Sequence, residues 1–466
     1  MLNQTNDVQG LMETELRSLL SVQQWAALGR RMDGYASPDV ADFLERFDPP
    51  TRSIIFRALP RVQAGEVFAH LEPERQEALL HDLTGAQTRE LLASLAPDDR
   101  TELLAELPAN VTQRLLTTLA PGDLAEARQL LGYPEESVGR LMTPDFVRVR
   151  ADGSVAEALT HIRRYGRNAE TLDAIYIIDA AGRLIDDLSL RVFVLADPSA
   201  SVSSLMDDTY VALRATDDRE EAVRAMERYD RVALPVIDSE GLLIGIVTAD
   251  DVLDVAEEEA TEDFQKMGGM EALDTPYMQT GLAAMIRKRA GWLAALFLGE
   301  MLTATAMGYF EDEIAKAVVL ALFVPLIISS GGNSGSQATS LIIRAMALRE
   351  VRLRDWWRIL VRELPTGLAL GAILGTIGTL RILAWQALGW TNYGEHYVLV
   401  ASTVGFSLIG VVLFGTLAGS LLPFALRRVG FDPASASAPF VATLVDVTGL
   451  IIYFSVASVM LHGTLL

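Results

Sequence analysis

Five long apolar stretches fill the last 180 residues of this 466-residue chain, behind a front part that is strongly acidic. Ten of the 61 acidic residues lie after position 286, as do thirteen of the 39 Lys and Arg. The front part therefore holds 51 acidic against 26 basic residues, a net −25, and the back part is net +3. A span of the bilayer needs about 20 apolar residues. Candidates are 290–310, 315–347, 364–390, 397–426 and 437–461. The chain thus reads as a soluble acidic region joined to a five-helix membrane domain.

The charges between the spans give an orientation. Arg287, Lys288 and Arg289 precede the first span. Arg344, Arg349, Arg352, Arg354, Arg358 and Arg362 fill the link between the second and third, and Arg427 and Arg428 follow the fourth. The alternate links hold Glu311, Asp312, Glu313 and Glu395 with few basic residues. The positive-inside rule then puts the N-terminus in the cytosol and the C-terminus outside, in a multi-pass cell (inner) membrane protein surrounded by lipid. The polar stretch Met1 to Gln9 shows no cleavable signal peptide. So acidic a front argues against nucleic acid as a partner, because binding it relies on neutralising phosphates. With no cysteine, disulfides, thiolate metal sites and cysteine catalysis are excluded. The five histidines are scattered without metal-ligand spacing.

Residues 1–140 contain a repeat. Pro49, Pro73, Pro97 and Pro121 recur every 24 residues, each with an apolar residue two places before it. Pro60 and Pro108 fall mid-repeat. Proline suits the first turn of a helix, where its missing N–H is not needed. Each period reads as two short helices, and stacked pairs make a small solenoid, serving as a sensing surface or as a spacer.

Residues 141–260 contain a duplication. Ile175-Tyr-Ile-Ile-Asp-Ala-Ala-Gly182 returns 59 residues later as Leu234-Pro-Val-Ile-Asp-Ser-Glu-Gly241, each a strand running into an Asp-x-x-Gly turn. Helical patterns precede both, at 154–164 and 218–229. This resembles a tandem pair of CBS domains, a module that commonly binds adenine nucleotides. In that family a Ser/Thr-x-x-Asp element holds the ribose, and the resemblance puts it at Thr248 and Asp251. The first copy has Ser189 but Val192 where the acid belongs, and Asp186 and Asp187 replace a small apolar pair. One nucleotide site, for ATP or a relative, is expected rather than two. A pair that only dimerises and transmits strain is the alternative.

Eight carboxylates crowd positions 250–263. On a helix Asp250, Asp254, Glu257 and Glu258 share a face and repel. Such a run is either a solvated face or a site for a hard divalent cation, which takes oxygen ligands. Residues 261–286, with Gly268, Gly269 and Pro276, read as a connecting helix, and 287–466 as the membrane domain.

Two intramembrane features remain. Asp446 lies nine residues into the fifth span, roughly 14 Å deep at 1.5 Å per residue. A carboxylate there is costly and by default marks an ion path. Ser329-Ser-Gly-Gly-Asn-Ser-Gly-Ser-Gln337 interrupts a 33-residue apolar segment too long for one straight span. It reads as loosened backbone offering carbonyls to an ion, or as a packing kink. Gly367, Gly371, Gly375 and Gly378 form a small-residue packing stripe, and Glu300 in the first span has no assigned role.

The order of helical repeat, CBS pair, acidic linker and five spans resembles the MgtE family of magnesium channels over essentially the whole chain. Gly331-Gly-Asn-Ser-Gly-Ser-Gln337, Ala347-Leu-Arg-Glu-Val351, Pro439 to Leu450 and Glu259-Ala-Thr-Glu-Asp263 carry the resemblance. It implies a homodimer, not an enzyme, that moves Mg2+ along a pore lined by Asp446, Asn333 and the backbone near Ala442 and Gly449. It also implies closure when cytosolic Mg2+ binds acids of the soluble region, with Asp250, Asp251, Glu258, Glu259 and Glu262 as sensor candidates. Alternatives are a channel for Co2+, Mn2+ or Ni2+, against which the oxygen-only donors argue, and a membrane-anchored nucleotide sensor that transports nothing.

Overall fold

A computed structural model describes residues 15–22, 24–273, 277–278 and 280–465. The chain divides into two compact units, Met1–Ala256 and Glu257–Leu466.

The first unit opens with the helical repeat. Helices begin at Pro49, Pro73, Pro97 and Pro121, the four prolines of the 24-residue period, and further helices follow Pro60 and Pro108 directly. Helices two places apart in sequence pack on one another, so the repeat stacks along its length. Val40, Phe43, Leu44, Ile55, Phe68, Leu79, Leu92 and Leu104 form its core. The period also governs buried hydrogen bonds. Arg52, Gln76 and Arg100 each stand three residues after a repeat proline. Their side chains donate to the carbonyls of Leu44 (3.1 Å), Phe68 (3.0 Å) and Leu92 (3.2 Å), near the ends of the preceding helices. The Leu44 and Phe68 carbonyls also accept from the turn amides of Phe47 and Leu71, so the side chain from the next helix of the repeat adds a further donor at the helix end. The fourth equivalent position is Leu124, and the series stops there.

The duplicated region forms two three-stranded sheets, Arg148–Arg150 with Ala174–Ile178 and Leu184–Ser189, and Leu213–Arg214 with Ala233–Ile237 and Leu243–Thr248. In both, the central strand runs parallel to the first and antiparallel to the third. The expected turns are present. Asp179 Oδ1 accepts from the amides of Ala181 and Arg183, and Asp238 Oδ1 from those of Glu240 and Leu242. Gly182 and Gly241 close them at φ of +87° and +82°, where a Cβ would be strained. The copies are joined where the Leu184 amide donates to the Gly241 carbonyl and the Leu243 amide to that of Gly182.

The connecting helix differs from expectation. It runs Ala249–Met267, so it starts directly after the last strand and crosses the boundary between the units, rather than beginning at 261. Residues 268–273 are not helical, and the next helix begins at Leu282. Pro276 lies outside the described residues.

Among the described residues the second unit has five helical segments long and apolar enough to cross a membrane: Leu282–Tyr309, Val318–Ala347, Leu353–Ala387, Tyr397–Val429 and Ala438–Met460. All five expected spans are therefore present. The first and third begin earlier and the fourth ends later than expected, where charged or polar residues extend a helix beyond its apolar part, as at Arg287–Arg289, and the other ends agree or lie one to three residues inside the expected bounds. The break in the second segment is not at Ser329–Gln337. That stretch lies inside one continuous helix, Val324–Ala347, and the irregular part is the 3-10 turn Val318–Phe323 ahead of Pro325. The Gly-rich sequence serves packing. A Cβ on Gly415 would collide with the Gly331 carbonyl oxygen, so spans two and four meet backbone to backbone. Between them Ser334 and Thr416 share a hydrogen bond of 2.7 Å, and Thr339 donates to the Gly419 carbonyl. The glycine stripe of the third span packs on the fourth in the same way: a Cβ on Gly371 would come within 2.7 Å of Ile409 Cα.

Candidate functional site

Three places gather the residues singled out by sequence. The first lies in the membrane-spanning unit. Ala442 and Asp446 are one turn apart on the fifth span, and both line a cavity of about 530 Å³ between the first and fifth spans. Glu300, Leu293 and Phe297 supply the first span's wall, and Pro439 and Thr443 extend that of the fifth. Asn333 and Gly449 are not among the lining residues. Asn333 is exposed on the second span, beside Gly332, which touches Ala442. Gly449 is buried against Val411 of the fourth span. The cavity joins Asp446 to Ala442 and to Glu300, whose lone position in the first span was the only sequence signal it gave.

The second place lies in the first unit, around the start of the connecting helix. Asp250 and Asp251 sit among Asp98 and Asp99, from the repeat helix Pro97–Glu106, and Glu170, from the first CBS copy. Burial pushes the Asp98 carboxyl well up, and Asp251 and Asp99 push it further. Its Oδ1 is buried with no hydrogen-bond partner among the described residues. Asp99 is raised by burial, then by Asp250 and Asp254, against a lowering effect of His70. Asp251 is pushed up to about 7, mainly by burial, although the Thr248 hydroxyl donates to its Oδ2 at 2.8 Å and favours the charged form. Asp98, Asp99 and Glu170 were invisible as partners in the sequence, since they lie 80 to 153 positions from Asp250 and Asp251.

The third place lies in the second unit. Lys266 Nζ is 2.7 Å from Asp432 Oδ2, in the link between spans four and five, and is also paired with Glu262. Asp263 is pushed up to about 6, by burial and then by Asp432, with Glu259 and Glu262 adding to it and Lys266 opposing. The sensor candidates are thus split. Asp250 and Asp251 belong to one acidic group and Glu259 and Glu262 to another. Glu258 is exposed on the helix between. The two groups draw on positions 12 residues apart along one helix. The donors are oxygens throughout, which suits Mg2+ or Ca2+. Among the described residues no three Asp, Glu or His side chains converge as a preformed metal cage.

The nucleotide motif is asymmetric, as its sequence suggests. Thr248 ends the last strand and is joined to Asp251. In the first copy, the Asp186 carboxylate is fully buried and takes the amides of Asp187 (2.8 Å), Asp207 (3.0 Å) and Asp208 (3.2 Å). Asp187 pairs with Arg231 of the second copy at 2.7 Å.

The family described as "MgtE: Divalent cation transporter" matches residues 324–456, "MgtE intracellular N domain" matches 35–136, and the CBS domain matches 138–193 and 202–258. A relative from Thermus thermophilus, magnesium transporter MgtE, is 42% identical over 415 residues, covering 88% of this chain and 90% of its own. The chain belongs to the MgtE family of magnesium transporters. An MgtE from Enterococcus faecalis is 31% identical over 72% of both chains. Among solved structures, the cytosolic domain of the Mg2+ channel MgtE in complex with ATP is 38% identical. It matches 52% of this chain and 99% of its own, at a TM-score of 0.50. The soluble part of a magnesium transporter is 25% identical and matches 54% of this chain and 99% of its own, at 0.52. As an MgtE family member, the chain is a multi-pass membrane protein of a transporter family, with an N-terminal helical domain, a CBS pair and five apolar helices.

Proposed function

We propose that the protein conducts Mg2+ into the cytosol as a homodimer, past Asp446, and that cytosolic Mg2+ closes it. The observation that carries the first part is the intramembrane cavity on which Asp446 opens beside Ala442. Magnesium sheds its water reluctantly and is usually held by one or two carboxylates with several waters kept. Asp446 from each of two chains, with Asn333 and the backbone near Ala442 and Gly449, would offer oxygens to such a hydrated ion. Membrane orientation follows the basic links, with the N-terminus cytosolic and the C-terminus outside.

The acidic groups support the second part. Asp98, Asp99, Glu170, Asp250 and Asp251 repel one another, as do Glu259, Glu262, Asp263 and Asp432. A divalent cation removes that repulsion at each place and holds the connecting helix by both its ends. Because the carboxylates do not form a ready cage, binding draws them together, and that movement is the closing signal. When Mg2+ falls, repulsion returns and the helix is released. One nucleotide site, at Thr248 and Asp251, fits ATP and shares Asp251 with the first acidic group, so nucleotide and Mg2+ act on the same helix start.

Mg2+ uptake into proteoliposomes, wild type against Asp446→Asn, tests the path. Uptake lost in the variant supports it, and equal uptake in both removes Asp446 from it. Competition by Co2+, Mn2+ and Ni2+ in the same assay sets the selectivity.

A further inference from the structure

Between Ala290 and Tyr309 the first span holds a single ionisable residue, Glu300. It stands ten residues into that apolar stretch, about 15 Å deep, the same depth as Asp446 in the fifth span. The helices meet beside it. A Cβ on Gly299 would lie 2.8 Å from Thr443 Cγ2, so the first span approaches the fifth at the residue before Glu300 and three residues before Asp446. Both carboxylates line the cavity of about 530 Å³, and no basic residue lines it with them. One turn further along the first span, on the same face, the Thr303 hydroxyl oxygen is buried with no hydrogen-bond partner among the described residues.

An intramembrane carboxylate is expensive and is retained where it serves an ion or proton path. Two on one cavity, with no Lys or Arg, carry a charge that a divalent cation balances. The space suits a hydrated ion: six waters at about 30 Å³ each occupy roughly 180 Å³. A packing role alone would be met by an apolar side chain at 300, without that charge.

We infer that Glu300 is a second cation-binding carboxylate of the ion path, acting with Asp446 on a hydrated divalent cation and setting how tightly it is held. This rests on the reading of Asp446 as part of the path. A site with two carboxylates holds the ion more strongly than one with a single carboxylate, so Glu300 governs the concentration at which the path saturates.

The test is Mg2+ influx into proteoliposomes of the full chain across a range of external Mg2+, comparing wild type, Glu300→Gln, Glu300→Asp and Asp446→Asn. Glu300→Gln is expected to raise the half-saturating concentration about tenfold while keeping at least half of the maximal flux per folded protein. Glu300→Asp, which keeps the charge, is expected to recover most of the wild-type concentration dependence, leaving a shift of about twofold. Wild-type half-saturation in Glu300→Gln, with or without a lower maximal flux, overturns the inference and leaves Glu300 a packing residue. Where Glu300→Gln fails to assemble, Glu300→Ala is read in its place, and wild-type half-saturation there overturns the inference as well. Loss of flux in Asp446→Asn beside such a result leaves the conduction reading standing. Absence of Mg2+ flux in the wild type overturns both.

Discussion

A Cβ placed on Gly419 would collide with the carbonyl oxygen of Gly335, just as one on Gly415 would with that of Gly331. Spans two and four therefore touch at two successive helical turns with no side chain between them. Helices in lipid lack a hydrophobic drive to associate, so close backbone packing and hydrogen bonds such as Thr339 to the Gly419 carbonyl hold them. Gly419→Val is expected to force the spans apart, at about 1–3 kcal/mol or more. Detergent-extracted protein should show a lowered melting temperature and an aggregated fraction by size-exclusion chromatography. An unchanged profile would mean that the crossing is looser than this geometry.

The same glycines show where sequence reading stops. The small-residue run at 329–337 was legible as a place where something unusual happens to the backbone. Its two expected readings, loosened carbonyls or a kink, both assume that the helix gives way. Small residues also let a helix stay straight and accept a neighbour, and the neighbour's matching Gly415 and Gly419 lie 80 positions away. By contrast, the 24-residue proline period, the Asp-x-x-Gly turns and the five spans rest on local rules, and each stands where expected. The acidic groups followed the same division. Asp250 and Asp251 were visible as a charge run, whereas Asp98, Glu170 and Asp432 join the two groups only through tertiary packing.

The repeat's buried hydrogen bonds differ sharply in worth from its surface ion pairs. Arg100 is 3% exposed, donates to the Leu92 carbonyl and pairs with Glu126. Arg100→Ala leaves that carbonyl and a partly buried carboxylate without their partner. A loss of about 2–4 kcal/mol is expected in urea unfolding followed by circular dichroism. Arg61, 82% exposed beside Glu90, should cost no more than about 0.5 kcal/mol as Arg61→Ala.

Arg231 and Asp187 bear on the nucleotide count. With Asp186 committed to three backbone amides and Asp187 to Arg231, the first copy keeps its own carboxylates where its partner has Gly245 and Ile246. Calorimetric titration with ATP should give one site per chain. Asp251→Ala should abolish it, because the acid in the first turn of the helix after the last strand is lost. Val192→Asp restores the missing acid of the first copy but not its small residues, and should leave the count at one. A second site in that variant would show that the Asp186 and Asp187 network yields to a ligand.

Lys266 occupies with its own charge the place that the second acidic group, around Glu262, Asp263 and Asp432, offers to a cation. Its pairs are about one-third exposed, so Lys266→Met should cost only about 1 kcal/mol in divalent-free buffer. The carboxylates of Glu262, Asp263 and Asp432 are then left facing one another. Added Mg2+ should stabilise the variant more than the wild type, with a larger rise in melting temperature at the same concentration. A smaller rise would mean that Lys266 assembles the group rather than competing for it.

The acids of the first unit set the pH dependence. Asp251 is pushed up to about 7 and Asp98 well above its ordinary value, both chiefly by burial. In the unfolded chain these groups titrate near 4. Between about pH 4 and 7 the folded state therefore binds more protons than the unfolded one, and stability falls as pH rises through that window. Without divalent cations, acidification from pH 7.5 to 5.5 should raise the melting temperature of this transition by about 2–4 °C. Asp251→Asn, which is uncharged at both values, should flatten the response. Saturating Mg2+ should remove it or reverse its sign, since a bound cation stabilises the ionised carboxylates and acid displaces it. Differential scanning fluorimetry across pH, with and without Mg2+, reads all three. A melting temperature that falls on acidification without Mg2+ would mean that these carboxylates are already ionised at low cost. The repulsion invoked for opening would then have to come from the group of Glu259, Glu262, Asp263 and Asp432.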